Sequence, residues 1–174
     1  MDDATRYFDE MMGAGELRRD SYRMYGDWID AQDIKQLRRK SAEAENFFRR
    51  TGITFNVYGA AEAAERLIPF DIVPRIISGR EWNKLARGIE QRVRAINAFL
   101  YDIYHRQEIL RAGRIPLELI ADNDAFLPQM IGGAPPGDVY THIVGVDIVR
   151  TGENEFYVLE DNARTPSGVS YMLE

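Results

Sequence analysis

Asp147, Glu160 and Asn162 carry hard oxygen atoms, and their spacing brings them together if Val144 to Gly168 forms a hairpin. Apolar and polar residues alternate on both sides of Thr151-Gly152-Glu153-Asn154, which predicts two antiparallel strands joined by a tight turn. Paired positions in such a ladder keep a constant sum. A loop closed around Glu153 and Asn154 therefore sets Arg150 across from Tyr157, Val149 across from Val158, and Asp147 across from Glu160. The two-residue period of a strand puts Glu160 and Asn162 on one face. Carboxylates that face each other across a strand pair repel, at a cost of about 0.2 to 1 kcal/mol, and a cation between them relieves the repulsion. A small set of oxygen donors without histidine or cysteine suits Mg2+, which keeps several waters and often bridges to nucleotide phosphates. The plain alternative is a hairpin with a wet polar face. Asp161 leaves a further choice open, since it points away from Glu160 on an ideal strand but a bulge at the strand end would exchange the two. The shared phase with Asn162 favours Glu160.

The elements that must hold this hairpin are helical. Ser78 and Glu81 form an S-x-x-E capping pattern, and Trp82, Leu85, Ala86, Ile89, Val93, Ile96, Phe99, Leu100 and Ile103 follow at spacings of three and four. They predict a long amphipathic helix that ends near Tyr104 or bends near His105 and continues to about residue 111. Arg80, Arg87, Arg92, Arg94 and Arg106 mark its solvated face, with contact to a bound anion as the alternative for one or two of them. A second helix is expected from Ile29 to Arg50, stopped by Thr51-Gly52. Ile53 to Tyr58 reads as a strand, the alanine-rich stretch after it as a helical turn or two, and Ile68 to Ile77 as an extended segment around Pro69 and Pro74. Asp122-Asn123-Asp124 reads as a turn, because the glycine and distal glutamate of a calcium loop are absent. Gly132 to Gly137 is the clearest loop. After the hairpin, Thr165 or Ser167 caps a helix starting at Pro166 to Gly168, with its amides aimed at an anion.

Composition narrows the classes of function. The chain has 174 residues, is 45% hydrophobic and carries a formal charge of −6, which argues against a dedicated nucleic-acid or anionic-membrane binder. It contains no cysteine and two histidines, His105 and His142, so disulfides, thiolate metal sites, cysteine nucleophiles and histidine-rich metal sites are excluded. The acidic N-terminus is not a secretory signal and no apolar run reaches the length of a membrane span, so a cytoplasmic location is expected.

Asp147 on one strand, followed by Glu160-Asp161-Asn162-Ala163-Arg164 at the end of the next, resembles the metal-binding end of ATP-grasp enzymes. There an acidic residue and a Glu-x-Asn on neighbouring strands hold the magnesium ions that bridge the ATP phosphates. With PSGVSYMLE, PFDIVPRII and the helix containing EWNKLARGIEQRVRAINAFLYDIY, residues 50 to 174 are similar to the front of a circularly permuted ATP-grasp protein related to the glutathionylspermidine synthase group. The resemblance implies an incomplete α+β domain. Residues 1–52 would be a helical arm, 53–131 a substrate-side subdomain with the long helix 79–111, and 132–174 a partial metal-binding hairpin with the start of the next helix. The remaining ATP-binding parts are expected C-terminal to residue 174.

It also implies the leading portion of an ATP-dependent ligase that joins a small-molecule or peptide carboxylate to an amine through an acylphosphate, inactive as this piece alone. Mg2+ would sit on Asp147, Glu160 and Asn162. Arg164 and Arg150 would bind the acylphosphate or the substrate carboxylate through their planar forks, and Ser167 and the Gly168 amide would face the ATP phosphates. A non-catalytic binding or scaffold module and an ATP-grasp phosphotransferase are the alternatives.

Overall fold

Asp33 divides the stretch that apolar spacing reads as one helix from Ile29 to Arg50. The computed structural model describes residues 7–15, 17–56, 65–67, 70–166, 168, 169 and 172. In it, helix α1 covers Arg23–Asp30 and α2 covers Ile34–Thr51. The Asp33 carboxylate accepts the Lys35 amide at 2.9 Å. It satisfies one of the donors that a helix start leaves over, so residue 34 begins a helix where periodicity alone would continue one. At the other end α2 stops at Gly52, whose φ of 72° is the left-handed conformation that glycine takes without strain.

The chain falls into two compact units, one of Met1–Gly79 with Arg150–Glu155 and Ser170–Glu174, the other of Arg80–Val149 with Phe156–Val169. In the first, β1 (Thr54–Asn56) pairs antiparallel with β2 (Glu65–Leu67), Phe55 lying opposite Arg66. A strand thus replaces the helical turn expected at the end of the alanine-rich stretch, because pairing with β1 outweighs local propensity. Tyr22 and Ile53 are the buried apolar side chains of this unit among the described residues. The Tyr22 hydroxyl accepts the Ile76 amide at 2.8 Å, and the Tyr25 hydroxyl donates to the Ile72 carbonyl at 3.4 Å. Two aromatic residues of the N-terminal segment so satisfy backbone groups of the extended stretch around Pro74, which has no strand partner of its own among the described residues.

α3 runs over Gly79–Tyr104 as the apolar spacing predicts, and from Arg80 on it belongs to the second unit. The stripe from Leu85 to Leu100 is half-buried and ends in buried Ile103 and Tyr104, while Trp82 at its start is exposed. A bend follows. Gln107 adopts a φ of 55°, and α4 (Glu108–Arg111) restarts because the Asp102 carboxylate accepts the Glu108 and Ile109 amides, both at 2.9 Å. Those amides, that of Ile109 foremost, hold the Asp102 carboxyl below the usual carboxylate range. Beyond the short α5 (Glu118–Ala121), Asn123 Oδ1 accepts the Ala125 amide at 2.8 Å, which makes residues 122–125 the expected turn. The Phe126 and Tyr140 rings stack on Tyr104 with centroids 5.1 and 5.8 Å away. The Tyr104 hydroxyl also accepts the Leu127 amide at 3.1 Å. The loop from Gly132 to Asp138 leads to the hairpin of β3 (Gly145–Gly152) and β4 (Glu155–Asn162).

Helices and strands are therefore mixed, with an antiparallel hairpin, in keeping with the α+β expectation. No helix among the described residues is long and apolar enough to cross a membrane.

Candidate functional site

Two eight-residue strands closed by the two-residue turn Glu153-Asn154 set Gly152 opposite Glu155 and Gly145 opposite Asn162. Side-chain proximity agrees with that register. A Cβ added to Gly145 would lie 3.4 Å from Asn162 Cβ, and one added to Gly152 would lie 3.4 Å from Glu155 Cγ. By the constant sum, a regular ladder of this register puts Asp147 across from Glu160. On such a ladder Asp147, Glu160 and Asn162 share one face, and Asp161 belongs to the other. Absence of a side chain at position 145 matters here, because a Cβ would also come within 3.1 Å of Pro166 Cβ. Glycine lets the chain after β4 fold back against the start of β3.

Asp147 and Glu160 are both exposed. The Asn162 amide nitrogen donates to Glu160 Oε1 at 3.1 Å, which orders the two side chains and leaves Asn162 Oδ1 as an acceptor for a further partner. Among the described residues no three carboxylate, histidine or cysteine side chains gather in one place, so the cluster is two acids and an amide. That donor set fits Mg2+, which takes one or two carboxylates from the protein and fills its octahedron with water and phosphate oxygens.

Asp161 resolves differently from its neighbour. Arg92 Nε donates to both of its carboxylate oxygens at 2.8 Å, and Arg92 Nη2 lies 2.6 Å from Oδ2. The Asp161 side chain is 19% exposed. The hydrogen bond and the charge of Asp161 raise the Arg92 guanidinium further above its ordinary value. Asp161 is thus committed to α3 through Arg92.

The same helix also fixes the entry to β3. Asn97 Oδ1 accepts the Tyr140 and Thr141 amides at 2.7 and 3.1 Å, and Asn97 Nδ2 donates to Thr141 Oγ1 at 2.9 Å and to the Val93 carbonyl at 3.1 Å. Sequence spacing did not single out Asn97, though a signal was there: it is a polar residue within the apolar stripe Val93, Ile96, Leu100 of α3. Nothing in the sequence distinguishes Arg92 from its neighbouring arginines.

Arg150 has a different environment. Its side chain is fully buried and lies 3.7 Å from Glu10 Oε2 through Nη1. Its Nε donates to the Gly152 carbonyl at 2.9 Å, its Nη2 donates to the Glu153 carbonyl, and its guanidinium lies 5.0 Å from the centroid of the Phe8 ring. Glu10 in turn receives Arg75 Nη2 at 2.6 Å on its other oxygen. The guanidinium that the sequence suggests for substrate therefore closes the hairpin turn. Of the other expected phosphate or substrate groups, Arg164 is exposed in a bend after β4, and Ser167 lies outside the described residues. Gly168 has a φ of 90°. It is not a helical residue, so any helical turn here begins after it, and Val169 and Met172 are helical.

A family model described as circularly permuted ATP-grasp type 2 matches residues 74–174, more than half of the chain. Among curated proteins, an uncharacterised protein of Synechocystis sp. is 40% identical over 99% of this chain and 36% of its own length. One of Mycobacterium tuberculosis is 42% identical over 96% of this chain and 30% of its own. A protein of Frankia alni named "Putative glutamate--cysteine ligase 2-3" is 39% identical over 96% of this chain and 19% of its own. The chain spans about a third of the length of the first two relatives and about a fifth of the third.

Proposed function

The chain belongs to the circularly permuted ATP-grasp type 2 family, and from that premise we propose that it supplies the magnesium-binding end of an ATP-dependent ligase that joins a carboxylate to an amine. The observation that carries the reading is the division of labour among three acids. Asp147 and Glu160 are exposed and Asn162 donates to Glu160, while Asp161 is held by Arg92. The name of the Frankia relative supports the reaction class, a carbon–nitrogen ligation. That name belongs to a protein of which the matched stretch is 19%, so it adds nothing about which carboxylate or amine is used.

In this reading Asp147, Glu160 and Asn162 hold Mg2+. Bound there, the ion would supply neutralisation of the phosphate charge that builds up as the γ-phosphoryl group leaves. The substrate carboxylate attacks the γ-phosphorus, ADP departs with the electron pair of the broken P–O bond, and the amine then displaces phosphate from the acylphosphate. Arg164, exposed just past the ligands, offers a planar fork to the acylphosphate or the carboxylate. Arg150 reaches substrate only if it leaves the turn. Ser167 and the Gly168 amide remain the proposed contacts to ATP phosphate. The other parts of the nucleotide site are assigned to portions of the relatives that this chain does not span. On this reading residues 1–174 by themselves are inactive.

The test is product analysis. Full-length protein incubated with Mg-ATP and panels of amino acids, amines and peptides should release ADP and phosphate in step with a new amide. A phosphorylated product without an amide would identify a phosphotransferase. Titration calorimetry of residues 1–174 with Mg-ATP should show no micromolar binding.

A further inference from the structure

Glu160 and Asp161 are chemically near-equivalent neighbours, and either could serve a metal at the end of β4. What separates them is one contact from a residue 69 positions away. Arg92 lies in the middle of α3, a helix of 26 residues, so its backbone cannot follow a shift of the strand end. Its guanidinium grips Asp161 by three short contacts of 2.6 to 2.8 Å. Five residues on, Asn97 of the same helix fixes Tyr140 and Thr141 ahead of β3. α3 therefore holds the chain at the outer end of both strands, where the three oxygen donors stand.

We infer that Arg92 is a positioning residue that selects which of the two adjacent carboxylates faces the metal: by keeping Asp161 on α3 it keeps Glu160 and Asn162 in phase on the opposite face. The inference rests on the ligand assignment under the proposed function. It has a signature that simple electrostatics does not share. A cation near a magnesium site weakens metal binding, so deleting Arg92 would tighten binding if charge were all that mattered. Positioning predicts the reverse, because an untethered Asp161 lets the strand end slip or bulge and spoils the ligand set.

The experiment is a titration of full-length protein with Mn2+, a hard-cation probe of the magnesium site, followed by the electron paramagnetic resonance signal of the free ion. Arg92→Ala should weaken Mn2+ binding about tenfold, the lower end of what loss of a ligand-orienting partner costs. Arg92→Lys, which keeps the charge but loses the fork, should weaken it by less. Asp161→Ala should match Arg92→Ala, and the double variant should be no worse than either single one. Unchanged or tighter binding in Arg92→Ala overturns the inference, and so do additive losses in the double variant. If Arg92→Ala does not fold, Arg92→Gln, which also removes the charge and the fork, is compared with the native protein and decides in the same way. Glu160→Gln, measured alongside, keeps the two readings apart. No loss there overturns the ligand assignment itself, whereas loss in Glu160→Gln without loss in Arg92→Ala overturns only the role of Arg92.

Discussion

The two ends of the β3–β4 hairpin bear charged groups in opposite states. At the turn, the Arg150 side chain is fully enclosed: Nε and Nη2 donate to the Gly152 and Glu153 carbonyls, Nη1 lies 3.7 Å from Glu10 Oε2, and Phe8 lies against the guanidinium. At the other end, Asp147 and Glu160 stand exposed across from each other, and the nearest arginine contact goes to Asp161 instead. A buried cation needs partners on every side or it destabilises the fold. An exposed pair of like charges gains nothing from the fold, and it is the kind of arrangement that a bound cation would relieve. The turn encloses its charge, whereas the strand ends leave theirs open for the metal that the proposed function assigns to them.

The first way to break this contrast is to alter the open end. Asp147→Asn combined with Glu160→Gln should lower magnesium-dependent ATP turnover of the full-length protein by at least ~100-fold, while the melting temperature stays the same or rises slightly. At the turn the reverse holds. Arg150→Met removes one member of a buried ionic and hydrogen-bonded group and should cost about 2 to 4 kcal/mol of stability in chemical denaturation. Loss of turnover in Arg150→Lys at an unchanged melting temperature would instead place Arg150 on substrate.

Smaller effects sharpen the picture. Asn97→Ala should cost about 1 to 3 kcal/mol, since it orphans the Tyr140 and Thr141 amides. The smallest effect is one of pH. The folded carboxyl of Asp102 lies below its ordinary value, so its contribution is present above the unfolded carboxylate range and is lost as pH falls through the folded value. The difference in melting temperature between the native protein and Asp102→Ala should be largest near neutral pH and shrink in acid. A difference that grew in acid would contradict the capping role.

What the sequence made legible is what periodicity and short-range chemistry determine. The apolar stripe of α3, the turn at Glu153-Asn154 and the pairing of Asp147 with Glu160 follow from spacings of two, three and four residues. The phase of Glu160 with Asn162 follows from the strand period, and the assignment of the metal to Glu160 belongs to the proposal. Contacts between distant positions were not legible. Arg92 reaches Asp161 across 69 positions, Glu10 reaches Arg150 from the N-terminal segment, and neither leaves a local pattern. Asp33 was readable as a cap, yet the apolar spacing ran through it and won. Likewise Arg150 read as a candidate for substrate because a strand position alone does not reveal which partner covers it.

Determination of the full-length structure with Mg2+ and a non-hydrolysable ATP analogue tests the central claim most directly. The account predicts a magnesium ion at about 2.0 to 2.2 Å from oxygens of Glu160 and at least one of Asp147 and Asn162, bridging to phosphate, with Asp161 still on Arg92. A magnesium ion bound to Asp161 in place of Glu160, or held by residues away from the open end of the hairpin, would contradict it.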